Sequence, residues 1–116
     1  GTYVVRAKEE EEANRLIEDA KLLEEIGCFA IVLEKIPAEL AVKVAKEVQI
    51  PIIGIGAGNG VDGQVLVVHD MLGINNEFNP RFLRKYNNLY DQMMQSFKEY
   101  INDVRSGDFP NDKEQY

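Results

Sequence analysis

Phe29-Ala30-Ile31-Val32-Leu33-Glu34-Lys35-Ile36-Pro37 sets the architecture of this chain. An apolar run of strand-forming residues meets a carboxylate and a lysine, and a proline closes it. A short run apolar on both faces is what a parallel strand buried between two layers requires. Alternation puts Ala30, Val32 and Glu34 on one face and Ile31, Leu33 and Lys35 on the other.

Upstream, Glu9 to Glu12 form an acidic start that favours a helix N-terminus through the backbone dipole. Ala13, Leu16, Ile17, Ala20 and Leu23 then recur at helical spacing, and Gly27 suits a helix C-cap. Cys28, the only cysteine, is expected as a small core residue opening the Phe29–Leu33 strand. It has no disulfide partner and no metal-ligand spacing around it, which fits a reducing, cytoplasmic setting.

Downstream, Pro37 suits the first turn of a second helix, with Ala41, Val44, Ala45 and Val48 buried and Glu39, Lys43 and Lys46 in water. Ile52–Ile55 forms a second buried strand. A glycine-rich loop, residues 56–63, separates it from a third strand over Gln64–Val68 that ends at His69-Asp70. A long helix is expected from about Pro80 to Arg105, with Phe82, Tyr86, Leu89, Met93, Phe97, Tyr100 and Val104 on one stripe. Residues 107–116 form a polar, irregular tail.

Strands alternating with helices imply right-handed βαβ units and a parallel sheet. Three strands make a meagre sheet, and the third follows the second without room for a crossover helix unless the glycine loop itself makes the return. The expected fold class is therefore α/β, the C-terminal portion of a (β/α)₈ TIM barrel. It would hold about the last three strands with their helices, and be incomplete without the N-terminal half. Residues 1–106 would belong to the barrel and 107–116 to the tail.

The chain of 116 residues is 45% apolar and 28% charged, with a net charge of −7. That balance argues against a nucleic-acid partner, which needs clustered Lys and Arg. No apolar run approaches the roughly 20 residues of a membrane helix, and nothing in residues 1–116 looks like a secretory signal. The start at Gly1 without an initiator Met is compatible with a processed chain or part of a longer one.

Gly58-Asn59-Gly60-Val61-Asp62-Gly63 matches the G-x-G-x-x-G pattern of dinucleotide-binding folds. That reading needs a helix to follow, and a β-branched run follows instead. Two readings stay open: glycines permitting a tight path between strands, or backbone N–H groups brought to a substrate. Asp62 is expected to stabilise the turn. His69 and Asp70, adjacent on a strand, would point to opposite faces, so a hydrogen-bonded structural histidine is the favoured reading.

Glu34 is the candidate catalytic residue. In a barrel, the bulkier strand face suits the helix layer and the smaller one the interior. Glu34 then points inward at the C-terminal mouth, where barrel active sites are built. A carboxylate partly withdrawn from water there suits a general base, though a Glu merely leaving for a loop has the same pattern.

Leu33-Glu34-Lys35-Ile36-Pro37-Ala38-Glu39-Leu40-Ala41, Ile50–Gly58 and Asp62–Asp70 together resemble ketopantoate hydroxymethyltransferases; Gly1-Thr2-Tyr3 and Ser106-Gly107-Asp108-Phe109-Pro110 fit as well. The resemblance spans nearly the whole chain but half or less of a family member. It implies a (β/α)₈ barrel that transfers a hydroxymethyl group from 5,10-methylenetetrahydrofolate to 3-methyl-2-oxobutanoate, giving 2-dehydropantoate for pantothenate biosynthesis. It further implies Mg2+ on the keto acid, stabilising the enolate. The base would be the Glu of the Leu-Glu-x-x-Pro segment, here Glu34. The family's metal-ligating Asp residues and substrate-binding Ser and Lys belong to its N-terminal half and have no counterpart here. Partners implied are that half, the keto acid and folate, and further copies in a homo-oligomer such as a decamer. The alternatives are another metal-dependent α-keto acid barrel enzyme, or a non-catalytic barrel fragment.

Overall fold

The structure is a computed structural model that describes residues 9–116. The expected start of the acidic run at Glu9 lies within it; the Gly1-Thr2-Tyr3 motif lies outside the described residues. Two compact units divide the chain, one ending at Leu66 and the other beginning at Val67.

The first unit holds helix α1 (Glu10–Glu25), strand β1 (Ile31–Glu34), helix α2 (Ala38–Glu47), strand β2 (Ile52–Ile55) and the short strand β3 (Gly63–Gln64). Glu10, Glu11 and Glu12 fill the first turn of α1, where negative charge meets the unpaired N–H groups of the helix end. Gly27 closes that helix with φ 101°, a left-handed conformation that a Cβ would oppose. Its N–H donates to the Glu24 carbonyl at 3.1 Å, and the Cys28 N–H to the Leu23 carbonyl at 3.0 Å. These two bonds make a Schellman cap, as the glycine predicted.

The sheet is parallel throughout, in the order β1-β2-β3. Ile31 lies beside Ile52 and Glu34 beside Ile55; Ile53 lies beside Gly63. Residues 56–62 carry the chain from β2 back to β3 with no helix between, so the glycine loop does make the return.

The core is one-sided. Ile31, Leu33, Ile36 and Ile52 pack with Ala20 of α1 and with Leu40, Ala41 and Val44 of α2. On the other face Val32 is 61% exposed, Glu34 is exposed, and Ile53 and Ile55 are half-buried. The expectation of a strand buried on both faces is thus corrected, because the helices of this unit cover only one side. The strand is also shifted: Phe29 lies outside it at 88% exposure, and Cys28 is half-buried outside the core. Cys28 closes the Schellman turn through its N–H and Phe29 follows it, before the chain enters the ladder at Ile31.

Across the two helices, Lys21 bridges Glu47 at 3.4 Å and Glu18 at 3.6 Å. Glu47 first, then Glu18, holds the ammonium above its ordinary value. A raised cation stabilises the fold below its ordinary value and loses that contribution as pH climbs through the raised one. The effect is small because the group is open to solvent.

The second unit holds the short helix α3 (Val68–Met71) and helix α4 (Leu89–Ser106). This corrects two expectations. The third strand stops at Gln64, and Val68, His69 and Asp70 enter a helix instead. β-branched residues favour a strand only where a partner or packed face receives them, and β3 pairs with β2 alone. The long helix begins at Leu89 rather than near Pro80, so Phe82 and Tyr86 lie in turns before it. Asn88 is the N-cap residue, and its side-chain amide donates to Asp91 at 2.7 Å. The first-turn N–H groups of α4 find carbonyls at the end of α3: Leu89 donates to Leu72 at 3.0 Å and Tyr90 to Gly73 at 2.9 Å. At its other end Gly107 caps α4, and Phe109 meets Tyr100 edge-on at 5.6 Å. The tail beyond is irregular, as expected. No helix among the described residues is long and apolar enough to cross a membrane.

Candidate functional site

Glu34 is the last residue of β1, on the sheet face turned away from α1 and α2. Strand parity placed it there, and the burial pattern agrees: Ile31 and Leu33 are buried, while Val32 and Glu34 are exposed. Its backbone lies beside Ile55 of β2, and the next N–H, that of Lys35, donates to the Ile55 carbonyl at 2.9 Å. A carboxylate thus stands at the C-terminal rim of the sheet, beside an apolar floor of Val32, Ile53 and Ile55. Such a group can accept a proton from a substrate laid over that floor.

The glycine loop does something different. A Cβ on Gly58 would meet Ala38 Cβ at 2.5 Å, and one on Gly60 would collide with Val42 Cγ2. Both neighbours belong to α2, so the glycines let the loop lie directly on the helix. That close approach, and the positive φ at Gly56 and Gly58, account for glycine at these positions. Gly60→Ala is expected to cost about 1–3 kcal/mol through overpacking against stiff Val42. A urea melt of the protein at the relatives' full length checks it.

Asp62 stabilises the return, as expected. Its Oδ2 accepts the Ile52 N–H at 2.8 Å, and its own N–H donates to the Ile52 carbonyl at 2.9 Å. Asp62→Ala would leave the first N–H of β2 without that acceptor, costing about 1–3 kcal/mol in the same melt. Gln64, which the sequence did not single out, donates from Nε2 to the Gly58 carbonyl at 2.8 Å and ties β3 to the loop. No local signal marks this role, since the bond depends on the path the loop takes.

His69 does not lie on a strand. It sits in α3, exposed, and its backbone carbonyl accepts the Ile74 N–H at 2.9 Å. The opposite-face relation expected for His69 and Asp70 on a strand therefore falls, as does the structural role proposed for the ring. Lys35 is the feature that sequence reasoning missed: its φ is 52°, the one positive value among the described non-glycine residues. Among the described residues there is no group of three or more His, Cys, Asp or Glu side chains able to hold a metal.

A family model described as ketopantoate hydroxymethyltransferase matches residues 1–112. The 3-methyl-2-oxobutanoate hydroxymethyltransferase of Parabacteroides distasonis is 71% identical over all of this chain, which covers 42% of that protein. Those of Flavobacterium johnsoniae and Porphyromonas gingivalis are 67% and 68% identical, again over the whole chain, which covers 43% and 42% of them. The chain thus spans less than half the length of these curated relatives and matches their C-terminal part. With a family model across nearly every residue and such identities behind it, the chain belongs to the ketopantoate hydroxymethyltransferase family.

Proposed function

We propose that a protein carrying this chain transfers a hydroxymethyl group from 5,10-methylenetetrahydrofolate to 3-methyl-2-oxobutanoate, giving 2-dehydropantoate in pantothenate biosynthesis. The observation that carries the proposal is Glu34 at the strand's C-terminal end, on the sheet face free of helices. In a closed (β/α)₈ barrel this face lines the interior and Glu34 stands on the reactive rim. Residues 1–106 then supply the last part of the barrel and 107–116 the tail.

Glu34 is the general base in this reading. It removes the C3 proton of the keto acid, leaving a carbanion conjugated with the keto group. Water adds to the methylene iminium of the folate and the carbon–nitrogen bond breaks, releasing tetrahydrofolate and a one-carbon unit at the formaldehyde level. The carbanion attacks that carbon, and the alkoxide formed takes back the proton held by Glu34 to give the hydroxymethyl group. The apolar floor of Val32, Ile53 and Ile55 suits the isopropyl end of the substrate and keeps water from the carboxylate once covered.

Mg2+ is part of the family expectation, yet the described residues do not fit it as ligands, lacking any suitable cluster. Its ligands are assigned to the part of the relatives that this chain does not span, and no step here is routed through it. The proposed partners are that N-terminal half, the keto acid and folate, and further copies in a homo-oligomer, with a cytoplasmic location. The test is exchange of the C3 proton with solvent in a protein of the relatives' full length, comparing Glu34 with Gln.

A further inference from the structure

We propose that the left-handed backbone at Lys35 is a positioning device for Glu34, acting through the main chain rather than through the lysine side chain. This rests on Glu34 being the base. Ordinary alternation would put Ile36 on the same sheet face as Glu34. Instead Ile36 is 6% exposed and packs in the core with Ile31 and Leu33, on the opposite face. The parity of the strand therefore breaks between Glu34 and Ile36, at the residue with φ 52°.

An L-residue enters this region at a cost and persists there only when its surroundings hold it. The holding contacts are on both sides. The Lys35 N–H stays in the ladder, donating to the Ile55 carbonyl at 2.9 Å, while Ile36 is anchored in the core. Pro37, with φ −57° and ψ 137°, then opens α2. Glu34 is thus clamped between a paired strand and a buried anchor. Its side chain stays on the rim while the chain turns away beneath it.

The conformation and the side chain can be separated by substitution. Gly and Asn accept a left-handed backbone, whereas a β-branched residue opposes it strongly. In a protein of the relatives' full length, Lys35→Gly and Lys35→Asn are expected to keep C3-proton exchange and kcat within about 3-fold of the parent, a small change on the free-energy scale of catalysis. Lys35→Val is expected to lower both, on the order of 100-fold as for an ångström-scale misplacement, with KM for the keto acid little changed. It should also raise the primary deuterium isotope effect on kcat with C3-deuterated substrate, because proton removal becomes the slow step. A merely lowered folded fraction leaves that isotope effect unchanged.

Loss of exchange in the Gly or Asn variant overturns the proposal, and that test stands even where the Val variant does not fold. Parent-like exchange in Lys35→Val overturns it too, as does a loss with an unchanged isotope effect. Glu34→Gln in the same assay keeps the two ideas apart. If that variant loses exchange while Lys35→Val does not, the base assignment stands and the positioning role falls. If Glu34→Gln exchanges normally, both fall.

Discussion

Glu34→Gln, made in a protein of the relatives' full length, is expected to slow C3-proton exchange of 3-methyl-2-oxobutanoate by roughly 100- to 10,000-fold. The amide keeps the size and most hydrogen-bonding capacity of the carboxylate but cannot take a proton at neutral pH. Because Glu34 is exposed at a strand end rather than packed in the core, the fold should be indifferent to the change, with stability within about 0.5 kcal/mol of the parent. Exchange is best followed by loss of the C3–H resonance in deuterated water, without folate, so that proton removal is read apart from the later carbon–carbon bond. Substrate binding should persist, since the base is not asked to hold the keto acid. Exchange at the parent rate would assign proton removal to another group.

The largest expected effect on stability is at Ile52. It is fully buried, begins β2, and lies beside Ile31 in the ladder, while its amide is paired with Asp62. Helix α2 packs on the same face, with Val44 also fully buried. Ile52→Ala removes branched apolar volume where α2 and the sheet meet and leaves a void that rigid neighbours fill poorly. The cost is expected at about 2–5 kcal/mol, measured by urea denaturation of the full-length protein. Against a typical total of roughly 5–15 kcal/mol, that is a large share. A loss below about 1 kcal/mol would mean that the site collapses around the shorter side chain, and that this core is looser than its burial implies.

Much of the first unit was legible because its signals are local. The spacing of Ala13, Leu16, Ile17 and Ala20, followed by Gly27, specifies a helix and its end whatever surrounds them. The same holds for Ile52–Ile55 and for the side on which Glu34 projects, since alternation is a property of the strand itself. The second unit was less legible. Phe82, Tyr86, Leu89 and Met93 share a helical spacing, but the Asn87-Asn88 pair starts the helix late, and the carbonyls after α3 receive its first amides. Val65 to Val68 have strand-forming side chains, yet pairing ends soon after Gln64 and the chain turns into α3.

The amino-acid order by itself determined α1, β1, α2 and β2, the parallel arrangement of the strands, the family and the sheet face on which Glu34 lies. Only the tertiary structure decided that the helices of this unit cover just one face of β1, why Gly58 and Gly60 are glycines, and that parity breaks at Lys35. The physical reason is the range of the forces involved. Periodicity and capping arise among residues a few positions apart. Burial, close approach and a left-handed backbone depend on what packs opposite, here Ala38, Val42 and the core around Ile36.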